Sequence, residues 1–219
     1  MLPYGSIYQA SGSRHMHMLD QRILGITLLL LLCLLVIVKR ITTGSFLDKP
    51  GGSLQAVIAD TYNLFFLLIS VPAAAILMIT GQVGIIEPIK LSADFSTFNI
   101  SMEIAGIAFI VCGAILMAWA LVRMGKNFQV GGSAPRTGDS MITGGPYGII
   151  RHPMYAAALI IALGIACLIQ SLVYLVIFII YLVLIILIIP GEEQGLRLTY
   201  GEPYTSYRQY TKRLNPFLY

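Results

Sequence analysis

The chain has 219 residues, 57% of them hydrophobic and 11% charged, with a net charge of +4 and a mean hydropathy of +0.82. An ordinary soluble domain carries about 25% charged residues, so the composition excludes one and leaves a polytopic membrane protein. Its apolar runs approach the ~20 residues that a helix needs to cross hydrocarbon.

Residues 1–18 are polar and mixed, without the basic start, apolar core and small-residue cleavage site of a signal peptide. "GSRHMHM" reads as a disordered or vector-derived segment, and 1–18 are set aside. Three spans are expected over 19–122. Ile23–Val38 is leucine-rich and stops at Lys39-Arg40. Ala56–Thr80 contains Pro72, which predicts a kink, tolerated in a bilayer where neighbours satisfy the freed carbonyl. Ile100–Val122 carries Gly106, Ala108, Gly113, Ala114 and Ala118, small residues that permit close helix packing.

Residues 123–219 form the second half. The run Met154–Ile189 is too long for one crossing at ~1.5 Å per residue. Its polar break at Gln170-Ser171 predicts a helical hairpin, Pro153–Ile169 and Leu172–Ile189, with Pro190-Gly191 ending the last span. The expected fold is all-α, with about five transmembrane helices and an amphipathic tail in two helical pieces. Gly201-Glu202-Pro203 punctuates the tail, and Pro203 suits a first helical turn.

With five spans, eleven of the fourteen Lys and Arg residues fall on the side that holds the C-terminus, which predicts a cytoplasmic C-terminus. Orientation and anionic lipid account for the positive charge, and no nucleic-acid partner is required. Cys33, Cys112 and Cys167 lie far apart in apolar runs, without metal-ligand spacing. They read as small buried apolar residues, and no metal is expected.

Three polar segments fall on the predicted cytoplasmic face. In "GGPYGIIRHPMY" the three glycines and two prolines suggest a shaped loop. Pro153 sits at the first helical position with His152 near the cap. A helix N-terminus beside the Arg151 charge suits a carboxylate or phosphate. Equally, Arg151 snorkels to lipid phosphate and His152 only caps. Tyr155, three residues past His152, shares its helix face. In "PGEEQGLRLTY" one acid of Glu192-Glu193 can pair with Arg197 while the other faces inward, able to hold an ammonium or ribose hydroxyls. The alternative is an acid pair that favours the helix dipole. "RMGKNFQVGG" offers Lys126, Asn127 and Gln129 as a solvated rim or a pocket wall.

Together "GPYGIIRHPMY", the hairpin, "EE" and "YGEPYTSYRQYTKRL" resemble, in order and spacing, the isoprenylcysteine carboxyl methyltransferases and related membrane phospholipid methyltransferases. The resemblance runs from about Met124 to Phe217, and 19–122 match only as generic spans. It implies methyl transfer from S-adenosylmethionine to a lipidic acceptor, such as the carboxylate of a prenylated cysteine, with no metal. Gln129, Gly145, Tyr147, Arg151, His152, Pro153, Tyr155, Glu192 and Glu193 would bind the cofactor. Arg197 or Arg208 would orient a carboxylate acceptor, and Glu192 could relay a proton from an amine. The site would face the cytoplasm, from the plasma membrane in a prokaryote or the endoplasmic reticulum in a eukaryote. A sterol-reductase-type enzyme using NADPH ranks second, because the four basic residues of 123–151 are too spread out for its extra phosphate. A non-enzymatic scaffold ranks third.

Overall fold

The structure, a computed structural model, describes residues 19–44, 54–86, 96–128 and 138–214. They form α1 (Gln21–Thr43), α2 (Leu54–Phe65), α3 (Val71–Thr80), α4 (Ser96–Met124), α5 (Pro153–Ile169), α6 (Leu172–Tyr200) and α7 (Glu202–Tyr210). Among the described residues four helical stretches are long and apolar enough to span a bilayer: Gln21–Thr43, Thr61–Thr80, Thr97–Asn127 and Leu172–Tyr200. The apolar α5 is shorter. Its 17 residues reach about 25 Å at ~1.5 Å each, less than the ~30 Å hydrocarbon core. A helix of that length brings its polar N-terminal loop alongside the last turns of α4, where Met117, Leu121 and Pro153 line one cavity.

Local chemistry sets the helix ends. The Asp20 carboxylate accepts the Arg22 N–H at 2.8 Å, and Gly44 closes α1 in the left-handed region at φ 82°. The kink expected at Pro72 takes the form of a single π turn, Phe66–Ser70, just before it, a common way to absorb an interrupted ladder. The Tyr174 hydroxyl donates to the Ser70 carbonyl at 2.9 Å and ties the irregular turn to α6. The hairpin divides where the sequence predicts. Gln170 adopts a left-handed conformation at φ 54°, and buried Ser171 caps α6 by accepting the Val173 N–H.

Two expectations are corrected. Pro190-Gly191 does not end the last helix, which runs on to Tyr200 with Pro190 inside it. Proline costs one backbone bond there, and a membrane helix tolerates that where neighbours satisfy the carbonyl. The cysteines are not core residues: Cys33 and Cys112 are exposed on the apolar outer surface, and Cys167 is half-buried.

Helices α4 and α5 pack tightly against each other, and glycines permit it. A Cβ on Gly106 would lie 2.8 Å from the Gly164 carbonyl oxygen, and one on Gly113 would lie 2.9 Å from that of Ala157. On the other side, Tyr62 donates to the Ile177 carbonyl at 2.7 Å and Tyr181 to Asn63 Oδ1 at 2.6 Å, fastening α2 to α6. The core lies between these seams and includes Ala74, Ala75, Met78, Ile165, Ile185 and Ile189.

Candidate active site

The "RHPMY" and "EE" segments meet. Glu193, 3% exposed, accepts the Arg151 Nε–H at 2.7 Å. Its other oxygen accepts from Arg213 Nε at 3.2 Å and Nη2 at 3.1 Å. Arg208 Nη2 stands 3.8 Å away. The expected Glu193–Arg197 pair is replaced by these contacts, and Arg197 is exposed. A buried acid draws in the cations that desolvate with it, because an unpaired buried carboxylate is strongly disfavoured.

Arg151 is equally committed. Its Nη1 donates to the carbonyls of Arg208 (3.3 Å) and Thr211. The chain after α7 lies beside this segment as a short strap. The Arg151 N–H donates to the Lys212 carbonyl at 2.7 Å and the His152 N–H to that of Arg213 at 3.0 Å. The Tyr207 hydroxyl adds a bond to the Tyr147 carbonyl at 2.6 Å.

His152 occupies the N-cap position of α5 but makes no side-chain capping bond, so capping is not its role. Its buried ring stacks on Tyr155 with centroids 5.7 Å apart. Its Nε2 lies 3.5 Å from Glu193 and its Nδ1 3.8 Å from Glu192 Oε2. Gly145 opens the turn Gly145–Gly148. It alone of Gly144, Gly145 and Gly148 needs a positive φ, at 65°, and a Cβ on it would meet Arg123 Cγ at 2.9 Å.

These groups border a cavity of about 630 Å³ with a mixed lining. Its polar lining includes Asn127, Asp139, Tyr147, Arg151, His152, Glu192, Tyr200, Tyr204 and Tyr207. Its apolar lining includes leucines and other apolar residues of α1, α2 and the π turn, with Met117 and Leu121 of α4 and Tyr181 of α6. Among the described residues six buried side-chain polar atoms lack a hydrogen bond, and four of them border this cavity: Tyr147 Oη, His152 Nε2, Glu192 Oε2 and Tyr204 Oη. Buried polar atoms normally find partners, so this cluster is chemically suited to a polar ligand. Burial, with the Glu192 charge, raises the pKa of the Tyr147 phenol, and burial with Glu193 raises that of Tyr204. Burial pushes Tyr207 up to about 12 despite its bond to Thr211 and the Arg151 charge. All three stay neutral phenols able to donate near pH 7.

Of the residues singled out by sequence, Asn127, Tyr147, Arg151, His152, Pro153, Tyr155 and Glu192 line the cavity. Glu193 stands behind it, and Gly145 shapes the adjoining turn. Arg197 and Arg208 are not on the lining. Gln129 lies outside the described residues. Sequence reasoning missed Lys39, Asp139, Tyr200, Tyr204 and Tyr207 as wall residues, and Arg213 as a partner of Glu193. The only signal for the tyrosines is their density in "YGEPYTSYRQY".

The fold defines a polytopic membrane protein, and the cavity offers both polar and apolar lining to a ligand. Residues 101–203, which contain most of that site, match the family model of the phospholipid methyltransferases. The chain also superposes, over 90% of its length, on 68% of the eukaryotic intramembrane Ras methyltransferase ICMT (isoprenylcysteine carboxyl methyltransferase), with 19% identity and a TM-score of 0.55. That second likeness is one of fold. No curated protein matches the chain. The family match bears out the resemblance to this group of enzymes and supports a methyltransferase, and the second likeness agrees with it in fold.

Proposed function

We propose that the protein transfers a methyl group from S-adenosylmethionine to a lipidic acceptor. One observation carries the reading: a single cavity is bordered both by four buried polar atoms without a hydrogen bond and by a wall of leucines. That pairing suits a reaction between a water-soluble donor and a membrane-borne acceptor.

The polar lining fits the donor's chemistry. Glu192 Oε2 could take an ammonium or ribose hydroxyl, and the Tyr147 and Tyr204 phenols could donate to oxygens. His152 Nε2 could donate to the carboxylate. Tyr155, stacked on His152, holds that ring in place. Arg151 positions rather than binds, since its Nε and Nη1 already bridge Glu193 and the strap. The bound cofactor supplies an electrophilic methyl group on a sulfonium. The protein's part is alignment and exclusion of water, which can supply much of the barrier reduction in such a displacement.

Calorimetry on detergent-purified protein tests this. S-adenosylhomocysteine is expected to bind and NADPH not to. His152→Ala and Glu192→Gln should each weaken S-adenosylhomocysteine about tenfold or more, the scale of a lost charge-assisted hydrogen bond. Unchanged affinity in both variants removes the assignment, and binding of NADPH alone favours the reductase.

We also place the site on the cytoplasmic face, from the asymmetry of Lys and Arg. A reporter fused after Tyr219 should read cytoplasmic, and a reading on the far side reverses the orientation.

A further inference from the structure

Helix α2 sets an amide into the cavity wall. Asn63 lines the cavity and stands on Thr61–Thr80, a stretch apolar enough to cross a bilayer. Phe66 and Leu67, three and four residues on, line it too. The Asn63 Oδ1 accepts the Tyr181 hydroxyl at 2.6 Å. The Tyr181 ring, 3% exposed, stacks on Tyr62 and Phe66 with centroids 5.2 Å from each. The hydrogen bond decides which way the amide faces. A buried phenol proton needs an acceptor, so the amide oxygen turns to Tyr181 and the NH2 group turns away from it. Among the described residues that NH2 group makes no hydrogen bond. Thr61, another polar wall residue, differs: its hydroxyl donates to the Val57 carbonyl of its own helix at 2.8 Å. An unpaired amide donor beside apolar walls is costly, and an oxygen on a ligand would remove that cost.

Resting on the methyl-transfer reading above, we propose that Asn63 selects the acceptor, and that the acceptor's apolar body carries a hydrogen-bond-accepting oxygen of carbonyl type. The Tyr181 hydroxyl positions the amide, and the amide donates to that oxygen. The oxygen's place along the acceptor follows from α6. Tyr181 and Glu192 both line the cavity and stand eleven residues apart on this helix. Eleven residues are about three turns, so the two share a face, roughly 16 Å apart along the axis. The oxygen thus lies well along the chain from the methylated end, and a plain hydrocarbon chain leaves the amide unpaired. Asn63 is outside residues 101–203, so this preference resides in the helices that precede the family match.

The test uses octadecanol and three derivatives that carry a ketone eight, ten or twelve carbons from the hydroxyl. Displacement of a fluorescent lipid from detergent-purified protein reads their affinities. Wild-type protein should bind at least one ketone about fivefold tighter than the parent alcohol, the scale of one net hydrogen bond. Combining Asn63→Leu with Tyr181→Phe should erase the preference. The double change leaves no orphaned phenol, and apolar replacement of both partners is close to neutral, so the melting temperature should stay near wild type. The infrared C=O stretch of the tightest ketone should also drop when it moves from micelle to wild-type protein. Equal binding of ketones and parent by wild type, no displacement by any of the four, an unshifted stretch, or a preference retained by the double variant overturns the proposal. All but the last of these are read on wild type and need no variant to fold. S-adenosylhomocysteine is titrated separately, and its failure to bind wild type marks failure of the methyl-transfer reading instead.

Discussion

Replacing Glu193 with Ala is expected to cost about 3–5 kcal/mol of stability, the range for breaking a buried ion pair by removing one partner. The carboxylate is nearly inaccessible and joins α6 to Arg151 before α5 and to Arg213 beyond α7. Its loss leaves the Arg151 guanidinium, itself 8% exposed, buried without a counter-ion. Glu193→Gln should cost less, since the amide oxygen still accepts one bond. Thermal unfolding in detergent should show a large drop for the alanine variant and a smaller one for glutamine. S-adenosylhomocysteine binding should fall in both, because His152 and the strap lose their common anchor. A wild-type melting temperature for Glu193→Ala would mean that this cluster does not hold the clasp together.

The second large effect is expected at Gly164. Its missing Cβ is what lets α4 and α5 touch: a methyl there would sit 2.8 Å from the Gly106 carbonyl oxygen and 2.9 Å from the Ile110 nitrogen. Both are backbone atoms, so no rotamer relieves the clash and the helices must separate. Overpacking of this kind costs about 1–3 kcal/mol. Gly164→Ala should show that, and Gly164→Leu more. The separation would also move the N-terminus of α5, which carries the Arg151-His152 loop, away from α4. Cofactor affinity should therefore fall although Gly164 does not line the cavity. A Gly164→Leu variant that melts and binds like wild type would show that the seam is loose.

Much of this fold was legible because a bilayer simplifies the code. Apolar runs gave the spans, and one polar pair, Gln170-Ser171, gave the hairpin to the residue. The small residues of α4 announced a close partner but not which one. Pro190 misled because the usual rule against internal proline is relaxed where neighbouring helices cover the break. In the site, the cost of burying charge near hydrocarbon said that an acid of Glu192-Glu193 needs a cation but not that the cation is Arg151. Local spacing suggested Arg197 as that acid's partner, whereas Arg213 and Arg208 reach it through the turn at Gly201 and the path of α7. No periodicity encodes such a return. Lys39 was hidden for the opposite reason: at the end of an apolar run a lysine looks like any interfacial anchor, and only the tertiary arrangement puts it on a cavity wall.

The strap from Thr211 to Arg213 has a temporal implication. The five apolar helices precede it in the chain and can enter the bilayer while it is still being translated. Until that strap threads back along Ile150–His152, Arg151 and His152 lack the main-chain partners that fix their direction. Membrane insertion and maturation of the clasp are thus expected to be separable in biogenesis, and a nascent polypeptide stopped before Thr211 should be inserted yet incompetent.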